Sequence, residues 1–434
     1  MVERKTVSLR RLANGKSETV KFERWFRNKA VSTSDLILAE QERIKNSVSN
    51  RHVLAIQDTT ELNYQKHAGR VHGLGTVGNG KDVGFFMHPM FVMDADTDAC
   101  LGISAVHLEN RLSGASEQYQ KLPIEEKESY RWISAAEKSK SVLSKADCVT
   151  FIGDRENDIY EFIDRIPDKK NHFILRVKSN RILINQEGKL FSNLEKQPEA
   201  GRVTLKIQRE IRKHREARTA VLAIKYGEFA IKKSKSCTDK QASKSINVWF
   251  VEVVEINCPD GEEPIHWRLM TTHQIPDIEH AKQILAWYRK RWHIEQIFRT
   301  MKKQGLDVES SQMESAENLM KLSIMSLCTA IKITQLVLAR EGTTQQRVDD
   351  VFTTQEQEIL SALLRTIEGK TVKQKNPYPK ENLGWAAWII ARLGGWHGYT
   401  KSEGLPGPIV MYRGFLRFQG ISDGWNLNRI MYAE

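Results

Sequence analysis

Three acids and one basic helix face are the residues of this chain whose types and spacing could do chemistry. Asp58 stands in AIQDTT, Asp154 in FIGDRE, and Glu295 within Ala286 to Lys303, AWYRKRWHIEQIFRTMKK. On a helix turning about 100° per residue, Tyr288, Arg291, Glu295 and Lys302 fall at roughly 0°, −60°, −20° and −40°, so all four share one face. Ile294, Ile297 and Met301 turn away from it, as a core-facing back should. A carboxylate among two cations and a phenol suits work on a phosphate backbone; the same spacing also fits a surface helix laced with ion pairs.

Asp58 and Asp154 each follow an apolar, strand-like run. Acids at such positions are costly to bury without a partner, and a hard cation held by oxygen ligands is one way to stabilise them. Two Mg²⁺ ions about 4 Å apart, clamped by carboxylates, can activate a water or a 3′ hydroxyl and stabilise the leaving oxygen of a phosphodiester. The other reading is that both aspartates cap turns by bonding to nearby N–H groups.

The elements that must position these residues follow from the pattern. HVLAIQDTTELNY, MHPMFVMDA and CLGISAVHLEN read as an antiparallel trio of strands, with a turn at Asp94 to Asp98. EEKESYRWISAAEKSKSVLSKA reads as a solvent-facing helix. DCVTFIG is a strand buried on both faces, DRENDIYEFIDRIP a short helix and HFILRVKSN another strand. The expected fold is therefore α/β: a mixed sheet with helices on its faces and polar residues leaving its strand ends. GRVHGLGTVGNGKDVG lacks the spacing of a phosphate-cradling loop and reads as a hairpin or loop.

Between Arg181 and Thr272 the pattern turns to alternating β sequence. Its basic parts, IQREIRKHREAR and IKKSKSC, fit either a solvated face or a stripe that binds a nucleic-acid backbone. Beyond Lys303, DVESSQMESAENLMKLSIMSLCTAIKITQLVLAR gives a long buried helix. TVKQKNPYPKENLG is a connector, and GWAAWIIARLGGWHG is a short helix closed by Gly394 and Gly395. The tail YRGFLRFQGISDGWNL needs a surface, on its own chain or on a partner subunit.

Composition sets the frame. The 434 residues carry 66 Lys and Arg against 54 Asp and Glu, a net charge of +12, which favours polyanionic partners. The 5 cysteines have no spacing suited to zinc or redox work, so reduced thiols in a cytoplasmic protein are expected. No secretory signal opens the chain, and Lys321 and Lys332 interrupt its most apolar stretch, so no membrane span is expected.

The combination AIQDTTELNY, FIGDRENDIYEF and YRKRWHIEQIFRTMK resembles the DDE transposases of bacterial cut-and-paste insertion sequences, specifically the IS-four group that includes the transposase of transposon Tn-five. The likeness runs from about Trp25 to GWAAWIIARLGGW, and its specific part is the tyrosine, arginine, glutamate and lysine that fall on Tyr288, Arg291, Glu295 and Lys302. It implies a ribonuclease-H-like core over residues 51–305, with a β-rich insertion over about 181–275 before the glutamate helix. It also implies a C-terminal helical dimerisation region over 306–434, and makes residues 1–50 the remnant of an N-terminal DNA-binding domain.

The implied chemistry is cleavage at transposon ends and strand transfer to target DNA, with Mg²⁺, or Mn²⁺ as a substitute, on Asp58, Asp154 and Glu295. Tyr288, Arg291 and Lys302 would bind phosphates near the cut, Trp267 would stack on a flipped base, Arg176 would touch a phosphate, and Arg155 and Glu156 would orient the ligands. The implied partners are transposon terminal repeats, target DNA and a second copy in a synaptic complex, in a cytoplasmic, nucleoid-associated protein. Family members begin some tens of residues earlier with a domain that recognises end sequences, so a shortened N-terminus is expected. That keeps open an alternative, a non-catalytic inhibitor that dimerises with a full-length transposase.

Overall fold

A computed structural model describes residues 13, 15–78, 80–111, 121–184, 186–207, 216–303 and 306–431. Helices α1 (Lys16–Arg27) and α2 (Thr33–Lys45) precede strand β1 (His52–Gln57). Strands β2 (Thr60–Asn63), β3 (Gly75–Val77), β4 (Asp82–Asp94) and β5 (Cys100–Glu109) follow. Helix α3 (Tyr130–Val142) leads to β6 (Cys148–Gly153), and α4 (Tyr160–Arg165) to β7 (Asn171–Arg176). After α5 (Leu190–Glu195) come β8 (Gly201–Ile207), β9 (Arg218–Lys232), β10 (Ser245–Glu255) and β11 (His266–Thr271). Helices α6 (Ile278–Arg289), α7 (Trp292–Lys302), α8 (Ala316–Ala339), α9 (Thr354–Ile367), α10 (Leu383–Leu393), α11 (Thr400–Glu403) and α12 (Pro408–Met431) complete the chain. The architecture is mixed α/β, as the sequence pattern requires.

The chain forms two compact units built from non-consecutive segments. One contains His52–Asp58 and Ala115–Trp292. Its sheet runs β1-β6-β7-β11-β10-β9-β8, parallel across the first three strands and antiparallel beyond. The apolar run of β6 is buried from Val149 to Gly153, which fits a strand flanked by parallel neighbours and covered on both faces. Helix α4 makes the crossover from β6 to β7. The alternating segment after Arg181 supplies the antiparallel half of this same sheet, with β11 pairing β7 at Leu269↔Arg176. Residues 208–215 of the basic run IQREIRKHREAR lie outside the described residues. Helix α3 is less solvent-facing than expected: Trp132, Ile133, Ala135, Ala136 and Val142 are buried.

The other unit contains residues 1–51, 59–114 and 293–434. Its strands are built on β4, which pairs β5 in a hairpin and also pairs β2 and β3. The Asp94 to Asp98 turn forms as expected, with Asp94 Oδ1 accepting from the N–H groups of Asp96 and Thr97 at 2.9 and 2.8 Å. The glycine-rich stretch makes the short β3–β4 hairpin. Helix α8 is long and apolar enough to cross a membrane, but 67% of its most apolar window is buried in the fold. Its Lys321, 1% exposed, pairs with Glu317 at 2.8 Å and donates to the carbonyls of Phe26 and Asn28 at 3.1 and 3.3 Å. The buried ammonium is thus fully used, and it docks the end of α1 on α8.

Gly395 takes φ +95° and ends α10 as a left-handed cap. The C-terminal tail packs on its own chain through Met411, Tyr412, Phe415 and Phe418 of α12, all buried. At its crossing with α10, a Cβ on Gly414 would stand 1.7 Å from the Ile390 carbonyl oxygen, and one on Gly394 would stand 2.1 Å from that of Val410. Gly414→Ala must therefore push the two helices apart and lower stability by about 1–3 kcal/mol, measurable by urea unfolding; an unchanged midpoint would contradict the close crossing.

Candidate active site

The stretch expected as one helix from Ala286 to Lys303 is two. Helix α6 ends at Arg289, Lys290 and Arg291 form a turn, and α7 begins at Trp292. The cause is local: Lys290 N–H bonds to the Trp287 carbonyl at 3.1 Å and Arg291 N–H to that of Tyr288 at 3.0 Å, tightening the last turn to three-residue spacing. The single face is corrected accordingly. Tyr288 belongs to α6, Arg291 to the turn, and only Glu295 and Lys302 share α7. The buried back is as expected, with Ile294, Ile297 and Met301 all inside.

Glu295 and Lys302 belong to the unit that holds β2 and β4. Glu295 is half-buried in the first turn of α7. Lys302 Nζ donates to the carbonyl of Glu61 on β2 and lies 3.5 Å from the Glu309 carboxylate. The remaining candidates, Asp58, Asp154, Arg176, Trp267, Tyr288 and Arg291, all lie in the unit with the seven-stranded sheet.

In that unit the pairing of β1 with β6 runs in register to Ile56↔Ile152. Asp58 and Asp154 each stand one residue beyond the end of their strand, so the parallel register brings the two aspartates to adjacent strand ends. Gly153 is required just before Asp154, because a Cβ there would lie 2.5 Å from the amide nitrogen of Asn157. Asp154 does cap a turn: its Oδ1 accepts from Glu156 N–H at 2.8 Å and opens the short turn Arg155–Asn157. Asn157 is fully buried, and its amide makes no hydrogen bond among the described residues. Glu156 faces Arg131 at 3.8 Å.

Asp58 Oδ2 accepts from Arg291 Nη1 at 2.8 Å, with the two side chains 18% and 17% exposed. The phenol of Tyr288, 5% exposed, is hydrogen-bonded by Arg291; burial raises its pKa, which the charges of Arg291 and Arg176 oppose. Arg176 ends β7, and its Nη2 donates to the His266 carbonyl at 3.3 Å. Burial lowers its pKa, and the like charges of Arg155 and Arg291 act in the same direction. Trp267 on β11 is half-buried and meets Tyr288 edge to face, ring centroids 5.9 Å apart. Two aspartates, three arginines, a buried tyrosine and a tryptophan thus gather at one end of the sheet. Among the described residues, no group of three or more His, Cys, Asp and Glu forms a ready metal cage.

Residues 141–331 match the transposase DDE domain. The match supports a DDE transposase, and it spans every candidate above except Asp58 and the β2 contacts of Lys302. Among solved structures, the chain is similar to the cryo-EM structure of the piggyBac transposase synaptic complex with hairpin DNA, at 9% identity and a TM-score of 0.30. That likeness covers 69% of this chain and 55% of the other, so the chain spans about half the length of the protein it resembles.

A second group in the same unit carries no signal in the sequence pattern. Thr150 Oγ1 lies 2.7 Å from both His52 Nε2 and His273 Nε2, and His172 stacks on His273 with centroids 4.2 Å apart. Each histidine sits at a strand end, too far apart in the chain for spacing to join them. Burial, with the charges of His172 and His52, holds His273 down to about 3. The unfolded chain, with an ordinary histidine near 6.5, binds its proton at higher pH than the folded one, so stability is full above that value and lost as pH falls below it. Between pH 7 and pH 5 the loss should be about 1–2 kcal/mol in urea unfolding, and His273→Gln should flatten that part of the profile.

Proposed function

We propose that this chain is a metal-dependent DNA transposase that cleaves at transposon ends and transfers them to target DNA by a cut-and-paste route. The observation that carries this reading is the register that aligns Asp58 with Asp154 beside a cluster of arginines, in a unit whose larger part matches the transposase DDE domain. The three parallel strands with an antiparallel extension support a ribonuclease-H-like core.

The donor set fits a hard cation: two carboxylates at aligned strand ends and, in the turn that one of them caps, a buried amide with no hydrogen bond among the described residues. Asp58 and Asp154 would hold Mg²⁺, or Mn²⁺ in its place, with Glu295 as third ligand on the strength of its sequence motif. When bound, such ions lower the pKa of a water or 3′ hydroxyl and stabilise the leaving oxygen. Arg176, Arg291 and Lys302 hold phosphate oxygens of the strand being cut through charge-assisted bonds. Tyr288 enters the same group through its hydroxyl and backs Trp267, whose half-buried ring is offered to an unstacked base. Ile421, Trp425 and Leu427, exposed on the far end of α12, support pairing with a second copy.

The test is cleavage and strand transfer on DNA carrying the element's terminal repeats, with Mg²⁺ or Mn²⁺. Asp58→Ala, Asp154→Ala and Glu295→Ala should each lower the rate by more than about 100-fold, beyond the loss a supporting residue causes, while DNA binding in a gel shift persists. Unchanged rates after Asp154→Ala would overturn the assignment. An inactive wild-type protein that lowers transposition by a longer partner would point instead to the inhibitor.

A further inference from the structure

The ion pair between Arg291 and Asp58 differs from the structural pairs of the same unit. Arg181 and Asp158 are sealed, with side chains 4% and 0% exposed, and two backbone N–H groups also bond to Asp158. Arg218 and Glu255 are 12% and 0% exposed, and Arg218 holds Glu255 through two nitrogens, 2.9 and 3.1 Å from its carboxylate. Arg291 instead reaches Asp58 from the two-residue turn between helices, and both partners keep access to water. It also stands within the field of the Arg176 guanidinium, whose charge burial already disfavours. The pair is therefore accessible to exchange, beside a second guanidinium whose like charge a bound anion would offset.

We propose that Arg291 is a latch on Asp58 that a DNA phosphate releases, so that binding of a divalent cation and binding of DNA are coupled at this site. This rests on the reading of Asp58 as a metal ligand. With no DNA bound, the guanidinium occupies the carboxylate oxygen that a cation needs and adds a like charge beside it. A phosphodiester gives the same fork two acceptor oxygens in matching geometry, draws Arg291 off the Asp58 oxygen and takes its charge away from the cation. By linkage, a cation that claims Asp58 releases Arg291 for the phosphate to the same extent. The consequence is a site that closes on metal when the strand to be cut is present.

Mn²⁺ binding followed by the electron paramagnetic resonance of the free ion tests this without any turnover. On the full chain with no DNA, Arg291→Gln should bind Mn²⁺ roughly five- to tenfold more tightly than wild type, a typical coupling size. A short DNA duplex should tighten Mn²⁺ binding in wild type by more than it does in Arg291→Gln. Tightening is a gain that a damaged fold does not give; if Arg291→Gln fails to fold, Arg291→Lys, with one compact charge in place of the fork, should show the same gain in smaller measure. Unchanged or weaker Mn²⁺ binding in the folded variant, with Asp58→Asn still weakening it, overturns the latch and spares the metal site. Mn²⁺ binding indifferent to both Asp58→Asn and Asp154→Asn overturns the metal site and the latch together.

Discussion

The unit that carries most of the candidate site depends on one constraint: two aspartates are delivered to neighbouring ends of parallel, apolar strands. Strands β1 and β6 are buried almost throughout, so a slip of register would misfit their packing on both faces. That rigidity fixes Asp58 beside Asp154. Two carboxylates at adjacent strand ends repel each other, and positive charge close by offsets that cost. Arg291 supplies it on one acid, and the N–H of Glu156 meets the other. The placement of Arg155 and Arg176 follows the same logic, since each adds positive field where the strands concentrate negative charge.

The surplus of arginine over aspartate then has a consequence for what the strand ends can accept. Three guanidiniums against two carboxylates leave a positive excess, and Arg176 is already held below its ordinary range by burial. Such an excess is relieved by an anion, whereas the carboxylates are relieved by a cation. A polyanion with its counterions satisfies both at once, which is the combination that a basic chain of net charge +12 meets on a nucleic acid.

The strands that deliver the acids were legible in the sequence, because an apolar run that stops at Asp carries its own boundary; AIQD and FIGD needed no tertiary knowledge. The helix break at Lys290 and Arg291 was not. Both are good helix formers with no glycine or proline nearby, so propensity favours continuation, and the three-residue turn that their N–H groups make instead leaves no mark in residue type. The burial of Tyr288 was hidden too, because its polar neighbours on the wheel suggested an exposed face. The histidine group around Thr150 was invisible for another reason: it is assembled by strand register, a property of pairs of segments that no single segment encodes.

The motif FIGDRENDIYEF shows how far residue type falls short of role. Asp154 and Asp158 are four residues apart, identical in side chain and both in the turn that follows β6. Asp158 is sealed against Arg181 and takes the N–H groups of Lys178 and Ser179 at 2.9 and 2.8 Å, so its charge is spent on holding the start of the next segment. Removing such a partner strands a buried charge, which is why a pair of this kind is structural and seldom exchanges ligands. Asp154 commits one oxygen to the turn and stays half-buried at the mouth of the sheet. What separates these two aspartates is the competition for their lone pairs, which Arg181 and two backbone N–H groups win at Asp158 and which only one carboxylate oxygen meets in the turn at Asp154.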